Sequence, residues 1–413
     1  MKKLIITDKA DLYAQVESLQ FSQIPNNIFS LLAQKYIGTL ASIYKNNASL
    51  KYLYASLHLQ ERLTRHYYQK PSFNITNIEI ANQNIMISEE VVINDPFCNL
   101  LHFKKSHDLK QQKLLIAAPM SGHYATLCKN TIESLLPFFD VYLTDWKNAR
   151  DVPLSLGKFN LDDYINYCIK YISHLGSDAT VMAVCQPAVP VLAATALMAA
   201  NNDKNTPKNV ILIGGPIDTR KSPTKVNSFA NQNNISWFEE NVITEVPVNY
   251  PGFKRKVYPG FIQLAGFISM NFFKHYKEHR KNFQAIIQND HEFTTKHENF
   301  YDEYFSTMDL TAEFYLQTIN VVFKEHLLPR KEWYSHGKFI DLDKITNTRL
   351  LAIEGELDDI TGSGQTKAAI NLCSNIKAKD KNYIYQKNAG HYGLFSGSKF
   401  KNYIIPQIID FCL

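Results

Sequence analysis

From Val181 to Ala200 the chain is apolar almost without interruption, a run about as long as a membrane span needs. Yet Pro187 and Pro190 stand inside it, Gln186 precedes them, its first residues are rich in β-branched types and its end is rich in alanine. A strand buried on both faces that turns sharply into a buried helix accounts for both halves. Proline suits the first turn of such a helix, where its missing N–H has no intrahelical partner to lose. This unit belongs in a parallel sheet covered by helices.

The surrounding sequence repeats the pattern. Leu114–Ala118, Val141–Leu143, Thr180–Val184 and Val210–Ile213 are apolar runs of strand length, and Thr126–Phe138, Leu161–Leu175 and Ala188–Asn201 between them can each hold a helix. Strands alternating with helical stretches predict a mostly parallel sheet, with the strand C-termini along one edge where loops converge. Asn77–Ile80, Ile85–Ile93 and Asn99–Phe103 read as earlier strands. Before them, Phe29–Tyr44 and Leu50–Tyr68 carry apolar residues at helical spacing, among them Leu53, Leu57, Leu63 and Tyr67. The alternation breaks after Gly214-Gly215-Pro216 and resumes with Leu350–Ile353 and Tyr383–Gln386. The stretch between is aromatic and mixed in charge. It includes an irregular Pro/Gly segment at 247–260 and a helix with Asp309 as N-cap, Tyr315, Ile319, Val322 and Phe323 on one face, and Pro329 at its end. The expected organisation is a helical N-terminal extension (1–75), a first part of the sheet core (76–220), an inserted cap (221–340) and a second part of the core (341–413).

The 413 residues carry Lys+Arg 44 against Asp+Glu 39, with no run of five like charges, so nothing marks a nucleic-acid surface. The six cysteines show neither CxxC nor zinc-site spacing and read as free thiols. The initial apolar run, Leu4-Ile5-Ile6, is shorter than the core of a secretory signal. The expectation is a cytoplasmic protein without metal or cofactor.

Three segments carry chemistry. Val181-Met182-Ala183-Val184-Cys185-Gln186-Pro187-Ala188 has the form of a nucleophile elbow, with Ala183 compact on one side and Pro187 in place of the usual glycine on the other. A helix N-terminus behind Cys185 would favour its thiolate. Late in the chain, Leu350–Ile353 runs into Glu354-Gly355-Glu356-Leu357-Asp358-Asp359, where Asp358 or Asp359 can serve as a triad acid. Then comes Asn388-Ala389-Gly390-His391-Tyr392-Gly393, a histidine between loop glycines. The order nucleophile, acid, histidine is that of α/β hydrolases, so the expected fold is an α/β-hydrolase sheet with an inserted cap. Pro119-Met120-Ser121-Gly122-His123 follows an early core strand. There Met120 or Ser121 would give one backbone oxyanion donor and Gln186 the other. His123 is a candidate for the pocket wall.

These motifs resemble those of intracellular poly(3-hydroxybutyrate) depolymerases: Met182–Pro187, Pro119–His123, Thr144-Asp145-Trp146-Lys147-Asn148-Ala149-Arg150, Gly355–Ile360, Gly390–Gly393 and the stretch from Met308 to Pro329. The likeness spans roughly 95–413. It implies Cys185 as nucleophile, Asp358 as acid and His391 as base, and a polyester granule or its oligomers as substrate. Two other readings stay open: a polyhydroxyalkanoate synthase-like acyltransferase, which usually has glycines after its cysteine, and a catalytically silent granule-binding protein. CoA in place of water as acyl acceptor also stays open. A granule must meet apolar surface around the entrance, and the aromatics of 247–276, with Phe253, Tyr258 and Phe261 foremost, are the candidates.

Overall fold

The nine-stranded sheet that organises the chain is centred on segments that leave no solvent face. In the computed structural model, which describes residues 9–44, 47–65, 69–107 and 109–413, its strands are β1 (Asn77–Ile80), β2 (Gln83–Asn94), β3 (Cys98–Lys105), β4 (Lys113–Ala117), β5 (Asp140–Trp146), β6 (Thr180–Val184) and β7 (Asn209–Ile213), then two late ones. Three short strands, β8 (Thr244–Glu245), β9 (Lys256–Tyr258) and β10 (Leu310–Thr311), form a separate small sheet, and β11 (Tyr334–Ser335) pairs with β12 (Lys338–Phe339). The late strands of the main sheet are β13 (Arg349–Gly355) and β14 (Lys381–Gln386).

The main order is β1-β2-β3-β5-β4-β6-β7-β13-β14. Every pair from β5 to β14 is parallel, while β3 runs against both β2 and β5. Eight strands in the order 1-2-4-3-5-6-7-8 with only the second reversed make the α/β-hydrolase sheet, here widened by the β1 hairpin. All five residues of β6 and of β7 are buried, as central parallel strands require.

Helices sit on both faces. On the chain's way in come α1 (Lys9–Ile43) and α2 (Ala48–Thr64), packed on each other. In the core are α3 (Lys129–Leu135), α4 (Leu161–Leu175) and α5 (Ala188–Ala200). Asn160 and Asp163 close a capping box at the start of α4. Ala193, Ala194 and Ala196 of α5 are wholly buried, where α5 packs against β6, β7 and its neighbour α4. Val181–Ala200 is therefore a strand and a helix. Among the described residues no helix is long and apolar enough to cross a membrane.

The segment between β7 and β13 is more regular than the sequence suggests. It holds α6 (Lys225–Gln232), α7 (Ile235–Asn241), α8 (Gly260–Met270), α9 (Phe272–Gln288), α10 (His291–Phe305), α11 (Ala312–Thr318) and α12 (Leu327–Arg330). The irregular stretch ends where α8 begins. Asp309 is not the N-cap of α11. Thr311 is, accepting from Phe314 N–H, because both oxygens of Asp309 are taken in the interior by Tyr13 Oη at 2.6 Å and Gly260 N–H at 2.9 Å. After α11 the chain widens into π-helical turns, Ile319–Lys324, and Pro329 falls inside α12 rather than at the end of a long helix.

The N-terminal helix is longer than Phe29–Tyr44 and passes through Pro25. Of the residues named from sequence, Leu4, Ile5, Ile6, Tyr67 and Tyr68 lie outside those described. The extension is tied to the segment that covers the sheet edge: Arg62 Nη2 reaches Asp302 Oδ1 at 2.6 Å, and Tyr13 is buried against Phe261, their centroids 5.4 Å apart.

Candidate active site

Cys185 stands where β6 has ended and α5 has not begun. Its φ is +68°, a left-handed conformation that a non-glycine residue holds only when its surroundings enforce it. The enforcement is visible on both sides. Cys185 N–H donates to Ile213 C=O at 2.7 Å, and Cys185 C=O accepts from Ala188 N–H at 3.1 Å. Pro187 takes φ −55° and ψ −18°, helical values that suit its ring. Two glycines let β7 leave beside this turn. A Cβ on Gly215 would fall 2.1 Å from that of Ala188, and one on Gly214, whose φ is +55°, would fall 3.1 Å from His391 Cε1. The sequence marks Gly214-Gly215 only as a break in the alternation. That these glycines clear space for the elbow and for the imidazole becomes visible once β7 is known to neighbour β6.

His391 lies just beyond β14 and is almost wholly buried. Its Nδ1 is 2.8 Å from Asp358 Oδ2, and Cys185 is its other close titratable neighbour. Asp358 is held in turn: Oδ1 accepts from Ile360 N–H and Thr361 N–H, both at 2.9 Å. The carboxylate thus fixes a tautomer with the proton on Nδ1 and leaves Nε2 for the sulfur. Burial pushes the imidazole pKa down, but its interactions with Cys185 and Asp358 outweigh this and hold it well above the ordinary histidine value. Asp359 faces elsewhere. It is exposed, and its Oδ2 accepts from Asn271 Nδ2 at 2.9 Å.

The loop after β4 brings Met120 and Ser121 to the same place as Cys185 and Gln186, and all four line one cavity of about 490 Å³. The backbone N–H groups of Met120, Ser121 and Gln186 meet no acceptor among the described residues. Gly122, at φ +114°, turns the loop away, and its C=O accepts from Met308 N–H at 2.7 Å. The Thr144–Arg150 motif proves to be scaffold for this loop. Thr144 Oγ1 accepts from Ala118 N–H at 2.9 Å, and Trp146 Nε1 donates to Ala118 C=O at 3.0 Å. Asn148 Oδ1 accepts from Asp309 N–H and Arg150 N–H.

The four residues picked as substrate contacts separate. Tyr258 lines the 490 Å³ cavity and stacks on Tyr315 with centroids 3.9 Å apart. Phe261 packs on Tyr13 in the small cluster that holds α1 down, and Phe253 is exposed under the Lys254 ammonium. Neither of these two lines the cavities beside Cys185 and His391. His123 is buried behind them. Its Nε2 faces Tyr304 C=O at 3.1 Å, its ring stacks on Phe267, and burial pushes its pKa down to about 4. It acts on the pocket through Phe267 and Tyr304, which do line it.

A second cavity of about 890 Å³ opens on the other side of His391, under α9 and α10. Its His391 side was marked by the Gly355–Ile360 and Gly390–Gly393 motifs, but the wall from α8, α9 and α10 was not foreseen, because the sequence did not reveal those helices. All six cysteines are free, and Cys185 alone is partly exposed. Burial pushes the Cys128 and Cys373 thiols up to about 12. Among the described residues no group of three His, Cys, Asp or Glu side chains is placed to hold a metal.

Residues 214–413 match the family model described as PHB de-polymerase C-terminus. No curated protein matches the chain. Similar solved structures include a carboxylesterase of Nitrososphaera gargenis, at 11% identity over 79% of this chain and 98% of that one, with a TM-score of 0.43. A monoacylglycerol lipase of Paleococcus ferrophilus aligns at 13% identity over 73% and 93%, with a TM-score of 0.41. A putative lipase of Acinetobacter baumannii AYE aligns at 9% over 79% and 92%, with a TM-score of 0.42. Likenesses this distant carry no argument, and the strand order identifies the fold.

Proposed function

We propose that this chain, whose residues 214–413 match the family model described as PHB de-polymerase C-terminus, is an ester hydrolase that degrades poly(3-hydroxybutyrate) storage granules of the cytoplasm, or their oligomers, with Cys185 as nucleophile. One observation carries the reading. A cysteine at a left-handed strand-to-helix turn shares an imidazole with a buried carboxylate 2.8 Å from its other nitrogen.

In this mechanism His391 Nε2 takes the thiol proton, and the thiolate attacks the ester carbonyl carbon. The oxyanion is held by Gln186 N–H and by the Met120–Ser121 loop. Collapse breaks the C–O bond, and His391 returns its proton to the leaving alkoxide. The 3-hydroxyacyl chain remains as a thioester on Cys185 until water, deprotonated by the same imidazole, releases the acid. CoA attacking in place of water would give an acyl-CoA from the same intermediate. Asp358 keeps the ring oriented and stabilises its cationic form.

The test is release of 3-hydroxybutyrate from amorphous granules. Cys185→Ala should abolish it while leaving the melting temperature near that of the parent, and acid-quenched parent enzyme should carry a hydroxyacyl mass on the Cys185 peptide. Parent-like release by Cys185→Ala would sink the assignment.

A further inference from the structure

Two cavities meet at the reaction centre, and they differ in character. The 490 Å³ cavity holds Cys185, Gln186 and the Met120–Ser121 loop and is otherwise paved by apolar and aromatic side chains such as Phe238, Phe314 and Phe323. Lys225 is the one lysine, arginine or carboxylate residue in its wall. The 890 Å³ cavity holds His391 and Tyr392, and its wall adds Lys274 and Lys296 to Lys225. Lys225, Phe267, Met270 and Ile360 line both, so they form the partition between them.

The charges of the larger cavity are not matched pairwise. Of its two carboxylates, Glu278 pairs with Lys281 at 2.7 Å, while Asp359 accepts from the neutral Asn271 amide and keeps its charge. Lys296 pairs with Glu292. Lys225 and Lys274 have no carboxylate partner among the described residues. Two exposed ammonium groups against the single unpaired carboxylate of Asp359 leave this concave, aromatic-walled site net positive, which favours an anion.

The chemistry decides which part of a substrate goes where. The carbonyl carbon must reach Cys185 with its oxygen at the Gln186 and Met120–Ser121 amides, so the acyl side of the ester lies in the apolar cavity. The leaving oxygen must reach His391 to receive its proton, so the alcohol side departs into the lysine-bearing one. In a poly(3-hydroxyalkanoate) the alcohol side of every ester leads toward the free carboxylate end of the chain. We propose that the larger cavity is the leaving-group subsite, in which Lys225 and Lys274 bind the terminal carboxylate, so that the enzyme shortens its polyester from the carboxyl end. This rests on the reading of Cys185 as an ester-cleaving nucleophile, and it adds a polarity that reading does not contain.

The step balances without a co-reactant. The C–S bond forms as the C–O bond breaks, the imidazolium proton moves to the departing alkoxide, and the product in the larger cavity is a free hydroxyacid. Lys225, being on the partition, is placed for a carboxylate one unit from the cut.

The probe is a defined trimer of (R)-3-hydroxybutyrate in three forms: free at both ends, methyl-esterified at the carboxyl end, and acetylated at the hydroxyl end. Removing one charge-assisted contact in a partly exposed site should raise KM about five-fold. The methyl ester is expected to show that rise with kcat little changed, while the acetylated trimer matches the free one. In a trimer labelled at its carboxyl unit, the first product released should be the labelled monomer. Lys225→Met and Lys274→Met should each move the acid-to-ester ratio of kcat/KM toward one. Equal kcat/KM for acid and methyl ester, or a penalty for acetylation instead, overturns the polarity while leaving the cysteine hydrolase intact. Absence of cleavage of all three trimers, with Cys185 unacylated, overturns the hydrolase reading itself and the polarity with it.

Discussion

A Cβ on Gly215 would stand 2.1 Å from the Cβ of Ala188, the first residue of the helix behind Cys185. The chain leaving β7 and that helix approach so closely that only a hydrogen atom fits between them. Gly215→Ala must push them apart, and overpacking of this kind costs about 1–3 kcal/mol. The same displacement moves the Cys185 carbonyl, 3.3 Å from the added carbon. The expected result is a lowered melting temperature together with slower alkylation of Cys185 by iodoacetamide. An unchanged alkylation rate would mean that the elbow does not depend on this approach.

The two neighbouring aspartates should separate cleanly. Asp358 contacts His391 and two backbone amides, whereas Asp359 contacts only Asn271 across the cavity mouth. Asp358→Asn presents an amide that no longer dictates the imidazole tautomer, a change that costs on the order of 10⁴ in kcat in a comparable triad. Asp359→Asn should stay within about three-fold, since a single exposed polar contact is worth under about 1 kcal/mol. Measured kcat on a soluble hydroxybutyrate oligomer decides it, and a larger loss at Asp359 would reverse the assignment.

The contrast between what could and could not be foreseen follows the range of the forces involved. Thr180–Val184 and Leu161–Leu175 are found with the limits expected from sequence, since total burial and a capping box are both local signals. Asp358, His391 and Cys185 were legible because the strand-end loops of a parallel sheet converge whatever the details. Asp309 misled for the opposite reason. An acid before an apolar run reads as a cap, but its true partner, Tyr13, is 296 positions away. Helix α8 escaped notice because GFIQLAGFISM is apolar nearly all round, which gives no 3.6-residue period to read. The π-helical turns after Thr318 break the period of the helix that sequence foresaw.

His123 makes stability depend on pH in a stated direction. Its folded pKa is about 4, below the roughly 6.5 of an unfolded histidine. Between those values the unfolded chain binds the extra proton, so stability falls as pH is lowered through that window. At pH 5 the loss is about 2 kcal/mol, at about 1.36 kcal/mol per unit. His297, also pushed to about 4, contributes with the same sign. His391, whose pKa is raised, contributes stability that is lost instead as pH rises through its folded value. His123→Phe should therefore be less destabilised relative to the parent at pH 5 than at pH 7.5, as read from urea midpoints. A difference that stays constant across that range would place the His123 proton in water's reach.

The aromatics of 247–276 give the last expectation, because their placements assign them different jobs. Phe261 braces Tyr13 and with it the N-terminal helix. Phe261→Ser should lower stability by about 1–3 kcal/mol, somewhat less than a wholly buried phenylalanine, and should make the α1–α2 pair more open to limited proteolysis. Tyr258 lies instead in the wall of the acyl-side cavity, stacked on Tyr315. Tyr258→Ala removes a flat surface that an acyl chain would lie against, so KM for oligomers should rise several-fold. The rise should grow with the number of units, since each added unit in the cavity buries more apolar area. Phe253, exposed and outside both cavities, should change neither stability nor oligomer KM, and can affect only attachment to an insoluble particle. Pelleting of each variant with granules, beside its KM for a soluble trimer, separates the three roles. A Phe261→Ser enzyme that melts like the parent yet fails to pellet would return that residue to the contact surface.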